Sequence, residues 1–172
     1  MTILKPFFEE PNRKFSIREL SRILKVNHTT VRQHLNNLAK DRFLFSKKEG
    51  VYTFFRLINS RKITYLKLYY NLEKLRDSGL LEELERFFDL PIIVVFGSFA
   101  SATDDMTSDI DLCIITNVNK DFSFEKYGKK LNRKISIHKF TKAQWVKAKT
   151  SRPALINNIC NGIVLSGELE VV

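Results

Sequence analysis

The spacing of apolar residues changes several times along the chain, and each change marks an element. Residues 2–10 can form a short helix, which Pro11 stops. Ser16 stands where a helix cap is expected, with Glu19 three residues later completing a capping box. Ile17, Leu20, Ile23 and Leu24 then supply an apolar stripe. Lys25, Val26 and Asn27 read as a turn. Asn27 or His28 opens a further helix to about Lys40, with Val31, His34, Leu35 and Leu38 inward and Asp41-Arg42 at its end. Residues 43–45, a polar turn over Ser46, Lys47, Lys48, Glu49 and Gly50, and residues 51–57 read as a β-hairpin.

Residues 61–77 form a longer helix without Gly or Pro. Its apolar residues, among them Ile63, Tyr65, Leu66, Tyr69 and Leu72, fill more than one stripe, so it should be covered on more than one side. A helix over 80–88 follows. Residues 92–96 are a short, apolar, β-branched run ending at Gly97, as expected of a buried strand. Residues 109–115 form a second strand and 117–121 a loop. Residues 122–131 form a helix with Phe124, Tyr127 and Leu131 inward and Lys126, Lys129 and Lys130 outward. A third strand spans 134–140. Thr141 caps a helix holding Trp145, a helix over 154–161 ends at Gly162, and residues 163–165 close the pattern. The order predicts an α+β chain: a helix–turn–helix with hairpin over 1–60, a linker helix over 61–78, and a mixed sheet with flanking helices over 79–172.

Charge separates these parts. The net charge of the 172-residue chain is +10. Residues 1–60 carry 12 Lys/Arg against 5 Asp/Glu, residues 61–90 carry 6 against 6, and residues 91–172 carry 11 against 8. A basic first part beside a second part with paired acids suggests two jobs. Cys113 and Cys160 are the only cysteines, so zinc and disulfide scaffolds are not expected. No apolar run approaches a membrane span, and the N-terminus lacks the order of a signal peptide. The expected setting is cytoplasmic, away from membranes.

The candidate chemistry lies in residues 91–116, where Gly97-Ser98 is followed after ten residues by Asp109-Ile110-Asp111. Residues i and i+2 of a strand share a side, so Asp109 and Asp111 form a pair while Ile110, Leu112 and Ile114 face the other way. Two adjacent carboxylates repel unless a cation lies between them. A hard ion such as Mg²⁺ takes oxygen ligands and keeps substrate phosphates in its shell. Gly97 allows a phosphate close to the backbone, and Ser98 is expected to open a helix whose N-terminus attracts anions.

Gly97, Ser98, Asp109, Ile110, Asp111 and Leu112, with Ser108 before the acids, resemble the signature of the minimal nucleotidyltransferases of the polymerase-β-like superfamily. The resemblance covers roughly residues 80–165. It implies a Mg²⁺-dependent transfer of a nucleotide monophosphate from a nucleoside triphosphate to a hydroxyl. Asp109 and Asp111 would be catalytic and metal-holding, and Gly97, Ser98 and Ser108 nucleotide-binding. It also implies a HEPN-type partner protein as the acceptor, in an antitoxin-like role. Three positions depart from the pattern. Ser101 and Ala102 stand where many members carry Arg and Gly, and the position of a third carboxylate holds Ser136. His138, two residues on, is a poor Mg²⁺ ligand. A rival reading is therefore a DNA-binding transcriptional regulator whose nucleotidyltransferase fold only holds a nucleotide or a partner.

The order and residues of 15–44 resemble winged helix–turn–helix DNA-binding domains. In that pattern the second helix enters the major groove of double-stranded DNA. Asn27, His28, Thr29, Thr30, Arg32, Gln33 and Asn36 would face the bases and phosphates, and Lys47, Lys48 and Arg56 would set the wing on the backbone. The linker helix suggests a homodimer that places two such domains on two half-sites.

Overall fold

The computed structural model describes residues 2–170; Met1, Val171 and Val172, at the ends of the first and last expected domains, lie outside the described residues. The chain divides into two compact units, Met1–Lys67 and Leu68–Val172, and the division falls inside the helix expected over 61–78.

The first unit is a winged helix. A single 3-10 turn leads into α1 (Lys5–Glu9), β1 (Phe15–Ser16), α2 (Ile17–Leu24), α3 (His28–Lys40), β2 (Leu44–Glu49) and β3 (Tyr52–Leu57). The three strands form an antiparallel sheet in the order β1-β3-β2. Phe7, Phe8, Phe15, Leu20, Val31, Leu35, Leu44 and Phe55 are buried. Each such side chain contributes roughly 1.5–3 kcal/mol on leaving water. The caps follow local chemistry. Ser16 Oγ accepts from the Glu19 amide at 3.2 Å. Asn27 Oδ1 accepts from the Thr29 amide at 2.8 Å.

Four expectations for this unit are corrected. The capping box at Ser16 is only half made, because the Glu19 carboxylate pairs with Arg13. Ile23 is 49% exposed and so outside the stripe of α2. His34 is exposed, since it sits about 70° off the line through Val31, Leu35 and Leu38. Finally, Lys47 and Lys48 lie within β2 rather than in a turn. The ladder continues to Glu49 opposite Tyr52, leaving Gly50 and Val51 as a two-residue loop. Gly50 at φ +61° makes so tight a reversal possible.

Next comes α4 (Arg61–Asp77). Only one stripe of it is buried, Ile63, Lys67, Asn71 and Leu75, at four-residue spacing. Tyr65 and Tyr69 are 68% and 53% exposed, so the expected cover on several sides is absent from these positions.

In the second unit α5 (Leu80–Phe87) precedes β4 (Ile92–Phe96), α6 (Gly97–Ser101) and β5 (Ile110–Ile115). After these come α7 (Glu125–Leu131), β6 (Ile135–Phe140), α8 (Lys142–Ser151), α9 (Pro153–Cys160) and β7 (Ile163–Ser166). The sheet order is β6-β5-β4-β7. β5 and β6 are parallel, joined by the crossover through α7, and the other pairs are antiparallel. One face packs Ile93, Val95, Ile110, Leu112 and Ile114 against side chains of α5 and α7. The other packs Val94, Phe96, Cys113 and Ile115 against Trp145, Ala148, Ile156 and Ile159 of α8 and α9. Burial in this layer pushes the Cys113 thiol up to about 12. The Thr141–Gln144 capping box starts α8 as its sequence requires. The helix α7 begins at Glu125, three residues later than expected. Phe122 lies outside it, edge-on to Phe87 with ring centroids 5.1 Å apart and 4.8 Å from Phe124. No described helix is long and apolar enough to cross a membrane.

Candidate functional site

The site is built where β4 ends beside the start of β5. Phe96 pairs with Asp111 in the antiparallel ladder, so the turn after Phe96 lies next to that acid. Gly97 has φ +70°, and a Cβ placed on it would be 2.5 Å from Asp111 Oδ2. Glycine is therefore required twice here, by the backbone conformation and by the carboxylate. The helix that follows begins at Gly97, one residue earlier than expected, has five residues, and has no side-chain cap at Phe96. Ser98 is half-buried in its first turn.

Asp109 and Asp111 flank buried Ile110 and are both half-buried. Strand alternation gives them one side, the side of Cys113 and Ile115. Ile110, Leu112 and Ile114 face the opposite core layer, as the pattern predicts. Across the parallel ladder Ser136 stands opposite Asp111 and His138 opposite Cys113. The His138 ring lies 5.5 Å from that of Phe96. Lys134 Nζ is 3.4 Å from Asp109 Oδ2. Among the described residues no three His, Cys, Asp or Glu side chains are grouped to hold a metal. Two carboxylates on one side, one of them closed against the turn at Gly97, are a donor set that would suit one Mg²⁺ whose remaining ligands are water and substrate oxygens.

A family model described as polymerase beta, nucleotidyltransferase matches residues 79–169, just over half of the chain, and spans all of these residues. The chain belongs to that family. No curated protein matches the chain. Among solved structures, reduced HlyU from Vibrio cholerae N16961 superposes at a TM-score of 0.34 with 22% identity, over 51% of this chain and 77% of its own. So loose a likeness carries no weight for the first unit.

At Ser101, Ala102 and Ser108 the structure shows what each side chain or backbone does. Ser101 Oγ donates back to the Gly97 and Ser98 carbonyls, 3.1 and 3.2 Å away, and lies 2.9 Å from Thr103 Oγ1. Ala102 ends the helix at φ +57°, a left-handed conformation that costs a non-glycine residue on the order of 1 kcal/mol. Ser108 is tied into the loop rather than aimed from it. Its Oγ accepts from the Asp105 amide at 3.0 Å and lies 3.2 Å from Asp105 Oδ1. Hydrogen bonds from Thr107, then from Ser108, hold the Asp105 carboxyl below its ordinary value.

The loop from Ala102 to Asp109 hangs on buried polar groups that the sequence pattern does not single out. Asp104 is fully buried. Its Oδ1 accepts from Asn71 Nδ2 at 2.8 Å, and its Oδ2 pairs with Arg133 Nη2 at 3.2 Å. The same Asn71 amide donates to the Phe99 carbonyl at 2.9 Å. Arg133 Nη1 donates to the carbonyls of Asp105 and Ser108. One cluster thus fixes α6 at Phe99, the middle of the loop, and the residue before Asp109. In the sequence these residues stand apart, an Asn within a helix, an Asp within a loop and an Arg before a strand, with no spacing that joins them.

The candidate DNA residues divide between two faces. Asn27, His28, Thr29, Thr30, Arg32, Gln33 and Asn36 are all exposed along α3 and its cap, though the Asn27 oxygen is occupied by the cap. His28, Arg32 and Asn36 share a groove with Arg18, Tyr52 and Thr53. Lys48 pairs with Thr53 and takes the sheet face of Ser46 and Phe55. Lys47 and Arg56 take the opposite face, with Phe45 and Phe54. There Arg56 lies over the Phe45 ring at 5.2 Å and Lys47 Nζ is 3.7 Å from Glu49. The three wing cations therefore do not form one surface.

Proposed function

We propose that this chain is a DNA-binding protein whose C-terminal unit binds a nucleoside triphosphate with Mg²⁺ and transfers its nucleotide monophosphate to a hydroxyl. The observation that carries the reading is Asp111 filling the place of a side chain at Gly97, inside a domain of the nucleotidyltransferase family. Asp109 and Asp111 would hold the metal, which when bound neutralises phosphate charge. Gly97 and Ser98 would receive the phosphates through the backbone, and the Asn71–Asp104–Arg133 cluster keeps the two halves of the site in register. Such a site works by positioning and by charge compensation rather than by a covalent intermediate. The exposed row of α3 would read double-stranded DNA, and a HEPN-type protein is the proposed acceptor.

A second reading has its own observation. With Ser136 opposite Asp111, the place of a third carboxylate is filled by a hydroxyl, which favours a regulator that holds the nucleotide without turning it over. Incubation with α-labelled ATP, Mg²⁺ and a HEPN-type partner separates the two. Label on the partner supports transfer. Binding of ATP with no label on any acceptor supports the regulator.

A further inference from the structure

We infer that Lys134 is the built-in second cation of this site, so that the site takes one divalent ion with its triphosphate. The inference rests on the nucleotidyltransferase reading above and concerns what balances its charges. Asp109 and Asp111 bring two negative charges, and Ser136 adds none. Two carboxylates offset one divalent ion; bridging two ions requires further ligands. Of the neighbouring acids, Asp104 is buried against Arg133, and Asp105 is turned to Thr107 and Ser108.

Lys134 is placed to supply the missing balance. Its carbonyl accepts from the Ile110 amide at 2.8 Å, which pins its backbone between the two acids at the head of the parallel ladder. Alternation along the strand puts its side chain on the side of Ser136 and His138, where the acids also lie. Its ammonium is 3.4 Å from Asp109. The preceding cation, Arg133, is buried and engaged with the loop, so the two consecutive basic residues have separate tasks. The Lys134 side chain is 77% exposed. An exposed pair of this kind is weak, and the ammonium is free to swing from Asp109 to a phosphate oxygen once the metal is bound.

The test uses the full chain with Mn²⁺ as probe, read from the loss of the free-ion signal in electron paramagnetic resonance. Wild type should bind one Mn²⁺ per chain, with or without a non-hydrolysable ATP analogue. Lys134→Gln should bind Mn²⁺ about tenfold more tightly without nucleotide, the order expected when a unit charge is removed a few Å from a divalent ion in water. Lys134→Gln with Ser136→Asp should bind two. Because Lys134 is exposed, neither result should be confused with unfolding. An unchanged Mn²⁺ affinity in Lys134→Gln, or two ions bound by wild type, overturns the inference and leaves the site reading intact. Mn²⁺ binding that survives Asp109→Asn with Asp111→Asn, or no binding by wild type, overturns both.

Discussion

Asp111 fills the place of a side chain at Gly97: a single methyl group added to Gly97 would lie 2.5 Å from Asp111 Oδ2. The turn and Asp111 are therefore packed so that a side chain at position 97 must displace the carboxylate. Gly97→Ala should cost about 1–3 kcal/mol of stability through its left-handed conformation and the clash. It should also weaken nucleotide binding about tenfold or more by displacing Asp111. Urea unfolding and calorimetry measure the two effects. Unchanged nucleotide affinity in a folded Gly97→Ala variant contradicts the arrangement.

Arg133 and Asp104 form the buried ion pair behind the loop, with side chains 2% and 0% exposed. Arg133→Met leaves the Asp104 charge without its guanidinium and should cost about 3–5 kcal/mol. Adding Asp104→Asn should recover part of that loss, because the remaining group is neutral. The urea midpoints of the two variants are the readout, and a smaller loss in the single than in the double variant would be the wrong order.

Much of this site was legible because its residues obey strict local rules. The spacing of Gly97, Ser98, Asp109 and Asp111 reports a strand exit facing a strand start, and alternation alone puts both acids on one side. Asn71, Asp104 and Arg133 were not legible, since they come from a helix, a loop and a strand mouth and are joined only by the fold. The wing departs from its sequence pattern for a different reason. A run of Ser46, Lys47, Lys48 and Glu49 has the composition of a turn, yet pairing with Tyr52, Thr53, Phe54 and Phe55 draws it into the ladder. His34 lies three residues after Val31, close to the apolar line, yet Leu35 and Leu38 already complete that face and His34 is exposed.

The division of the wing cations makes the DNA proposal specific. Binding of duplex DNA should weaken steeply with salt, as neutralisation of phosphates requires. Arg32→Ala and Lys48→Ala, on the α3 side, should each reduce affinity several-fold. Lys47→Ala and Arg56→Ala, on the opposite sheet face, should change it little. Anisotropy titrations of the four variants against one duplex, at two salt concentrations, test this. Equal losses from both faces would refute the division.

The exposed Tyr65 and Tyr69, one turn apart on α4, are the proposed contact of a homodimer. Light scattering should give a dimer mass for the wild type and a monomer for Tyr65→Glu with Tyr69→Glu. A monomer mass for concentrated wild type rules the dimer out.

The most direct measurement of the central claim is calorimetry with ATP and Mg²⁺ on the wild type and on Asp109→Asn with Asp111→Asn. The double variant keeps size and hydrogen bonding and removes both charges. Wild type should bind ATP in a Mg²⁺-dependent manner. The variant should lose that binding while its salt-dependent binding of duplex DNA stays within about twofold of wild type. Equal ATP binding by the two proteins would mean that the acid pair holds no metal, leaving the nucleotidyltransferase relationship as one of fold alone.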